Sequence, residues 1–507
     1  MKINQLKAGI ILSYITIIMG ILVSVIYTPV MIRILGKSEY GLYNLVNSVV
    51  SYLGVLSFGF SSAYLKFYLE YKNKNQQRKI VNLNTIFVLV YTILALVAVL
   101  AGVLLIKNID FIFGSGLTEN EKNTAKILMF FLVINIAISF PASVFEANVA
   151  ANERYVFQKI IQLLKTVVSP FLALPLLLLG YKSVSLVLAS TILTVFSFGI
   201  NVYYCVKKLK MKFAIKGIDW TIFKPIFIFS SFIFLNIITD QINWSTDKFI
   251  LGRFGGTDEV AVYSVAGQIN TYYLNLSLAI SSVFIPRVNQ MVVKKEDNSK
   301  LLELMIKVGR IQAFVLICVL GGFITLGEYF IKIWAGKGYG FESYLTTLLL
   351  IIPVTIPSVQ NLGIEIQKAK NEHRFRSVIY FMIALCNIVI SIPLSIKFGS
   401  IGAALGTAIC LIGGNGIIMN WYYSKRMGFN MKVFWGKMLK FISVMIIPAI
   451  FIFIINRLYT IHSLNTFLGY GIVYVVLYLT LYWKKAANNE EKLIIRKMLS
   501  QKKGKVK

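Results

Sequence analysis

The sequence predicts an all-α, polytopic membrane protein: about 14 transmembrane helices, arranged as two pseudo-symmetric six-helix lobes plus a C-terminal helix pair. Three observations predict it. Of 507 residues, 57% are hydrophobic and 14% charged, too few charges for the surfaces of a soluble chain this long. The apolar residues fall in runs of about 20, the length that crosses a bilayer as a helix. And one stretch occurs twice: RILGKSEYGLY at 33–43 and RFGGTDEVAVY at 253–263.

The first apolar run, 10–32, is too long for a signal-peptide core and has no small-residue cleavage site, so it reads as a retained helix. Further spans are expected near 40–69, 81–106, 125–149, 156–180, 183–206, 224–251, 259–286, 302–328, 343–367, 376–397, 400–424, 435–456 and 464–483. The loops after even-numbered spans are sharply basic: YKNKNQQRK at 71–79, KKLKMKFAIK at 207–216 and KAKNEHRFR at 368–376. The opposite loops are short, the longest at 107–124. Under the positive-inside rule this asymmetry places both termini in the cytoplasm. The net charge of +31 therefore orients the chain and meets anionic membrane lipid, and no nucleic-acid partner is expected.

The duplication divides the chain into a first six-helix lobe (1–215), a second (216–430), an additional helix pair (431–483) and a basic cytoplasmic tail (484–507). A second match, EANVAANER at 146–154 with EIQKAKNEH at 365–373, supports it at nearly the same spacing. In the tail, EEKLIIRKML at 490–499 suits a short amphipathic turn on the membrane. Paired halves in a membrane chain point to a transporter with its site between them. The four cysteines, Cys205, Cys318, Cys386 and Cys410, lie in or at the ends of spans, so neither a disulfide framework nor a metal cluster is expected.

At each copy of the repeated stretch a glycine, Gly36 or Gly256, lets the chain leave a helix at positive φ. Ser38 and Thr257 are placed to cap the next helix, and Glu39 and Glu259 fall in its positive first turn. These residues, with DKFILG at 247–252 in the seventh span, resemble the polysaccharide exporter (Wzx-type oligosaccharide flippase) family. That family belongs to the multidrug/oligosaccharidyl-lipid/polysaccharide exporter superfamily. The resemblance covers essentially the whole chain. It implies two lobes around a central cavity, alternating access, a bacterial cytoplasmic (inner) membrane location and an undecaprenyl-diphosphate-linked sugar as cargo. A polysaccharide polymerase and other pathway proteins are the implied protein partners.

Ionisable groups at membrane depth cost about 2.5–3.5 kcal/mol on insertion scales, so they face a cavity or a partner. The basic candidates are Lys165 in the fifth span and Lys307 and Arg310, which share a face of the ninth. A guanidinium grips phosphate as a fork and lysine as a point charge, whereas the bland reading has them snorkel to headgroups. In the seventh span, Asp240, Asn243, Trp244 and Asp247 follow the i, i+3, i+4, i+7 spacing of one stripe. Asp240 and Asp247 are candidates for coupling or gating, with Lys248, Arg253 and Arg33 as partners. Proton or sodium coupling is the chemistry they suit, and no other cofactor is expected. Glu146 and Glu365, ending the fourth and tenth spans, are inner-gate candidates with Lys66 or neighbouring basic residues. Trp244, Tyr272 and Tyr273 are candidates for stacking on sugar rings.

The alternatives are a lipid II flippase, a cation or drug antiporter of the same superfamily, and an integral polymerase or ligase acting on lipid-linked sugars. The antiporter wants acids deep in the first lobe, and the first span has none. The enzyme wants an acid or histidine in a large outer loop; His373 lies in an inner loop and His462 in a tiny turn. No enzymatic activity is expected.

Overall fold

The structure, a computed structural model, describes residues 5–214 and 216–493, and every regular element among them is helical. In chain order the α-helices are α1 (Gln5–Leu35), α2 (Lys37–Ser51), α3 (Phe60–Asn73), α4 (Gln77–Lys107), α5 (Ile109–Phe113), α6 (Glu119–Ala151), α7 (Tyr155–Leu176) and α8 (Lys182–Tyr203). They continue as α9 (Phe223–Phe254), α10 (Thr257–Ser282), α11 (Ile285–Val293), α12 (Asn298–Trp334), α13 (Gly340–Val359) and α14 (Asn361–Ala369). The last four are α15 (His373–Leu411), α16 (Met419–Lys425), α17 (Met431–Leu458) and α18 (Leu464–Leu481). The expected basic tail is described only to residue 493, so most of the amphipathic turn at 490–499 lies outside the described residues.

Among the described residues, eleven helical stretches are long and apolar enough to cross a membrane, or twelve if the bent pair α10–α11 forms one span. Two of the eleven are long enough to cross twice. The stretch Tyr155–Lys208 has 54 residues, about 80 Å if straight, well over twice the apolar thickness of a bilayer. It turns at Gly180 (φ 91°) and Lys182 (φ 46°), and α8 packs back on α7. Arg374–Lys425 turns at Gly399 (φ 55°), which brings Gly402 against the Leu394 carbonyl.

Packing groups the chain into two compact units. Unit 1 comprises Met1–Ser264 and Ala384–Ala403; unit 2 comprises Val265–Ile383 and Ala404–Lys507. Unit 1 has an aromatic core in which Phe60 and Tyr64 of α3 meet Phe87 and Tyr91 of α4 edge to face. Tyr64 donates to Asn84 and accepts from Asn148, tying α3, α4 and α6 through buried polar groups. In unit 2, α12 packs along α13, α17 and α18, with Tyr474 and Tyr478 donating to carbonyls of α12.

The backbone is alike at several matched positions. Gly36 and Gly256 adopt φ of 79° and 82°. Helices α3 and α11 end at Asn73 and Val293, each followed two residues on by a left-handed residue, Asn75 (φ 54°) and Lys295 (φ 52°). The α7–α8 turn and the turn inside α15 match as well: Lys182 at φ 46°, ψ −134° and Gly399 at φ 55°, ψ −137°. Only glycine adopts that conformation without strain, so the lysine of the first copy stores about 1–3 kcal/mol that the glycine of the second avoids. Lys182→Gly is therefore expected to raise the apparent Tm of the detergent-solubilised protein by about 1–2 °C once the larger chain entropy of glycine is subtracted. Gly399→Ala should lower it, because a Cβ there would stand 2.6 Å from the Glu259 carboxylate.

Candidate functional site

In unit 1 the two copies of the repeated corner lie against each other. A Cβ on Gly41 would strike the Thr257 carbonyl, so α2 and α10 approach backbone to backbone. Ser38 does not cap its helix, as the sequence suggested; both Ser38 and Thr257 instead donate to Glu121 of α6, each at 2.7 Å. The repeated glutamates reach beyond their own helices. Glu39 accepts from the Ser183 hydroxyl (2.5 Å) and N–H at the start of α8. Glu259 accepts from the Ser400 N–H (2.6 Å), just past the turn in α15. Each carboxylate thus satisfies N–H groups left open at another helix start. Arg253 donates to the Phe111 and Ile112 carbonyls at 2.6 and 2.7 Å, pinning the 107–124 loop. Arg33 is exposed in the last turn of α1.

The polar stripe of α9 does not share one environment. Asp247 is buried, 2% exposed; Tyr263 donates to it at 2.6 Å and Asn387 at 3.5 Å, and Ser391 donates to Asn387 at 3.0 Å. Three elements of unit 1, α9, α10 and the first half of α15, therefore converge on one carboxylate. Gln241 and Ser245 turn towards Ser51 of α2, and Thr246 meets the Tyr52 hydroxyl at 2.6 Å. Asp240 and Trp244 are exposed and Lys248 is half-buried. An α-helix advances 100° per residue, so spacing alone placed 240 and 247 together, and the neighbours separate them.

Lys165 of α7 lies within electrostatic reach of the Glu146 carboxylate on α6. The sequence singled out both, and offered Lys66 or neighbouring basic residues as partners for the inner-gate glutamates; the Lys66 ammonium sits 4.0 Å above the Phe229 ring.

In unit 2, Arg310 is buried and bidentate with Glu491: Nε to Oε1 at 2.8 Å and Nη2 to Oε2 at 2.7 Å, with Nη2 also donating to the Ala486 carbonyl. The guanidinium stacks over Phe441. One turn away Lys307 meets Glu490 at 3.3 Å, an exposed pair. Glu491 also accepts from the Tyr482 hydroxyl and the Asn488 N–H, while Asn488 caps the Glu491 N–H in return. Burial alone would raise the Glu491 carboxyl, but the bonds from Arg310 and Asn488 outweigh it and hold the group below the usual carboxylate range. Tyr273 is buried and donates to Leu316 O, with Thr355 Oγ1 2.8 Å away, so its ring offers no face to a sugar in this conformation. Tyr272 stands edge-on to Trp334. Glu365 pairs with Lys368 on α14 at 2.8 Å, a local helix pair. No group of three or more His, Cys, Asp or Glu that could hold a metal occurs among the described residues.

Residues 30–340 match the family described as polysaccharide biosynthesis protein. The chain belongs to that family. Among curated relatives, a candidate O-antigen transporter of Shigella flexneri is 22% identical over 78% of this chain and 91% of its own length. The uncharacterized membrane protein EpsK of Bacillus subtilis (strain 168) is 22% identical over 96% of this chain and 97% of its own. Among solved structures, the lipid II flippase MurJ in an inward closed conformation superposes with a TM-score of 0.73 at 17% identity, covering 93% of this chain and 97% of that one. An inward-facing multidrug resistance transporter of the MATE family, within the MOP superfamily, gives 0.63 at 15% identity over 79% and 94%. This member of the polysaccharide biosynthesis protein family therefore has the fold of MOP-superfamily transporters.

Removing one partner of the Arg310–Glu491 pair leaves a buried charge uncompensated, a loss of about 3–5 kcal/mol for fully buried pairs and less here, where Glu491 is partly exposed. Glu491→Gln should lower the apparent Tm markedly and Lys307→Gln hardly at all, since Lys307 is exposed. Because the folded pKa of Glu491 is depressed, the gap between parent and Glu491→Gln is full above the unfolded value of about 4.3. It closes as pH falls through the lower folded value. Apparent Tm against pH for the two proteins checks both statements.

Proposed function

We propose that the chain is a flippase that carries an undecaprenyl-diphosphate-linked oligosaccharide from the inner to the outer leaflet of the bacterial cytoplasmic membrane by alternating access, for cell-surface polysaccharide synthesis. The observation that carries the reading is the near whole-length fold likeness to a lipid II flippase in a chain of the polysaccharide biosynthesis family. In this reading fourteen spans cross the membrane, with the stretches turning at Gly180 and Gly399 each counted as two and α10–α11 as one. Both termini are cytoplasmic, as the basic loops favour.

Lys165 and Arg310 are the cations assigned to the cargo diphosphate. A phosphate can exchange with a carboxylate at either of them, because each carries a carboxylate partner of matching geometry or reach: Glu146 for Lys165 and Glu491 for Arg310. Asp247 is the coupling carboxylate, taking a proton or sodium ion within the Tyr263–Asn387 pocket and so biasing one conformation over the other. Polymerase and other pathway proteins receive or assemble the same lipid-linked sugar on either side of this step.

The drug-antiporter reading draws on the MATE likeness, but the first span, Ala8–Leu35, holds no acidic residue. Deleting the gene should cause one lipid-linked saccharide to accumulate in the inner leaflet and surface polysaccharide to fall; mass spectrometry of extracted lipids reads the first. A normal lipid profile with normal surface polysaccharide would sink the proposal. With expression matched by immunoblot, Lys165→Gln should cut export about ten-fold, equivalent to about 1.4 kcal/mol of lost phosphate binding. Asp247→Asn should abolish any dependence of export on pH or sodium.

A further inference from the structure

We propose that Glu121 is the clasp that closes the outer end of unit 1, and that it must let go for cargo to leave; this rests on the alternating-access reading above. The sequence did not single this residue out, although Thr118 and Glu121 spell a capping box. The box is present: the Thr118 N–H donates to Glu121 Oε2 at 2.9 Å, and the Glu121 N–H reaches the Thr118 hydroxyl at 3.4 Å. That uses one carboxylate oxygen. The other, Oε1, accepts at once from Ser38 in the first copy of the repeated corner and from Thr257 in the second, and those two hydroxyls stand 3.2 Å apart.

Three helices begin at this point, α2 at Lys37, α6 at Glu119 and α10 at Thr257, so one carboxylate lies among three positive helix starts. Its role is to join the two sequence repeats. Around it, Lys37 meets the exposed Asp258 at 3.8 Å, and Gly41 and Gly116 let backbones touch at Thr257 and Gly252. Farther along the same α2–α9 seam lie Ser51, Gln241 and Ser245, hydrogen-bonded to one another. If the repeats part from their outer ends far enough to separate Leu45 from Gly252, an outside reagent reaches these groups. The surrounding hydroxyl, ammonium and backbone contacts need no repacking of aromatic core to separate.

The test is labelling of Ser245→Cys in intact cells by a membrane-impermeant maleimide, with export followed in parallel. Glu121→Gln should speed labelling several-fold, and Glu121→Ala likewise. A disulfide between Ser38→Cys and Thr257→Cys, whose parent hydroxyls are close enough for one, should stop labelling and export until a reductant restores both. Labelling unchanged by the Glu121 variants and by the formed disulfide overturns the clasp. Labelling that responds as expected while export continues through the locked protein overturns the requirement that the clasp let go, whereas export that persists when the chain itself is deleted overturns the flippase reading instead.

Discussion

A helix that ends near a membrane surface leaves backbone N–H groups that lipid cannot satisfy. In this chain the answer is a set of carboxylates that reach sideways. Glu39 and Glu259 each leave their own helix and hold the start of another, at Ser183 and at Ser400. Glu121 does the same for two hydroxyls at helix starts. With 21 acidic residues against 52 basic ones, acids are scarce, and this corner concentrates them where positive helix ends meet. The hairpin α7–α8, the hairpin inside α15 and the contact between repeat copies all hang on these bonds.

Much of this was legible because it is local. Runs of apolar residues fixed the helices, glycine marked the positive-φ exits at 36 and 256, and the repeated motif marked the corner itself. What the motif could not show is where its side chains point. Ser38 looks like a cap in sequence, yet its acceptor is Glu121, 83 positions away. Arg310 looked like a lone cation because Glu491 lies 181 residues downstream, in a segment that reads as ordinary tail. Asp240 and Asp247 share a stripe by spacing, but only tertiary neighbours decide that Asp247 is enclosed by Tyr263 and Asn387 while Asp240 is exposed. Periodicity assigns faces of a helix; it does not say what stands opposite.

The buried charges argue for different kinds of work. A buried ion pair is weak evidence for stability, because desolvating both ions offsets most of their attraction. At Arg310 the geometry is nonetheless complete: two bonds to one carboxylate, one to a carbonyl, and an aromatic face below. Such completeness favours a joint that fixes the last described segment against α12 in this conformation. Asp247 is the contrast. Its neighbours in the pocket include a phenol and an amide, groups that bond a carboxylate and remain compatible with its protonated form.

Packing and duplication divide the chain along different lines. Residues 384–403 follow unit 2 segments in sequence but pack with unit 1, and they bring Asn387, Ser391, Gly399 and Ser400 with them. Both bonds that define the second repeat's corner and the enclosure of Asp247 depend on that one hairpin. Its turn is the place where the copies diverge, glycine at 399 against lysine at 182 in the same backbone conformation. The relaxed version therefore sits in the hairpin that serves both Glu259 and the Asp247 pocket, and the strained version in the one that serves Glu39 alone. A turn that anchors two sites tolerates less distortion than a turn that anchors one, because any shift in it is felt at both.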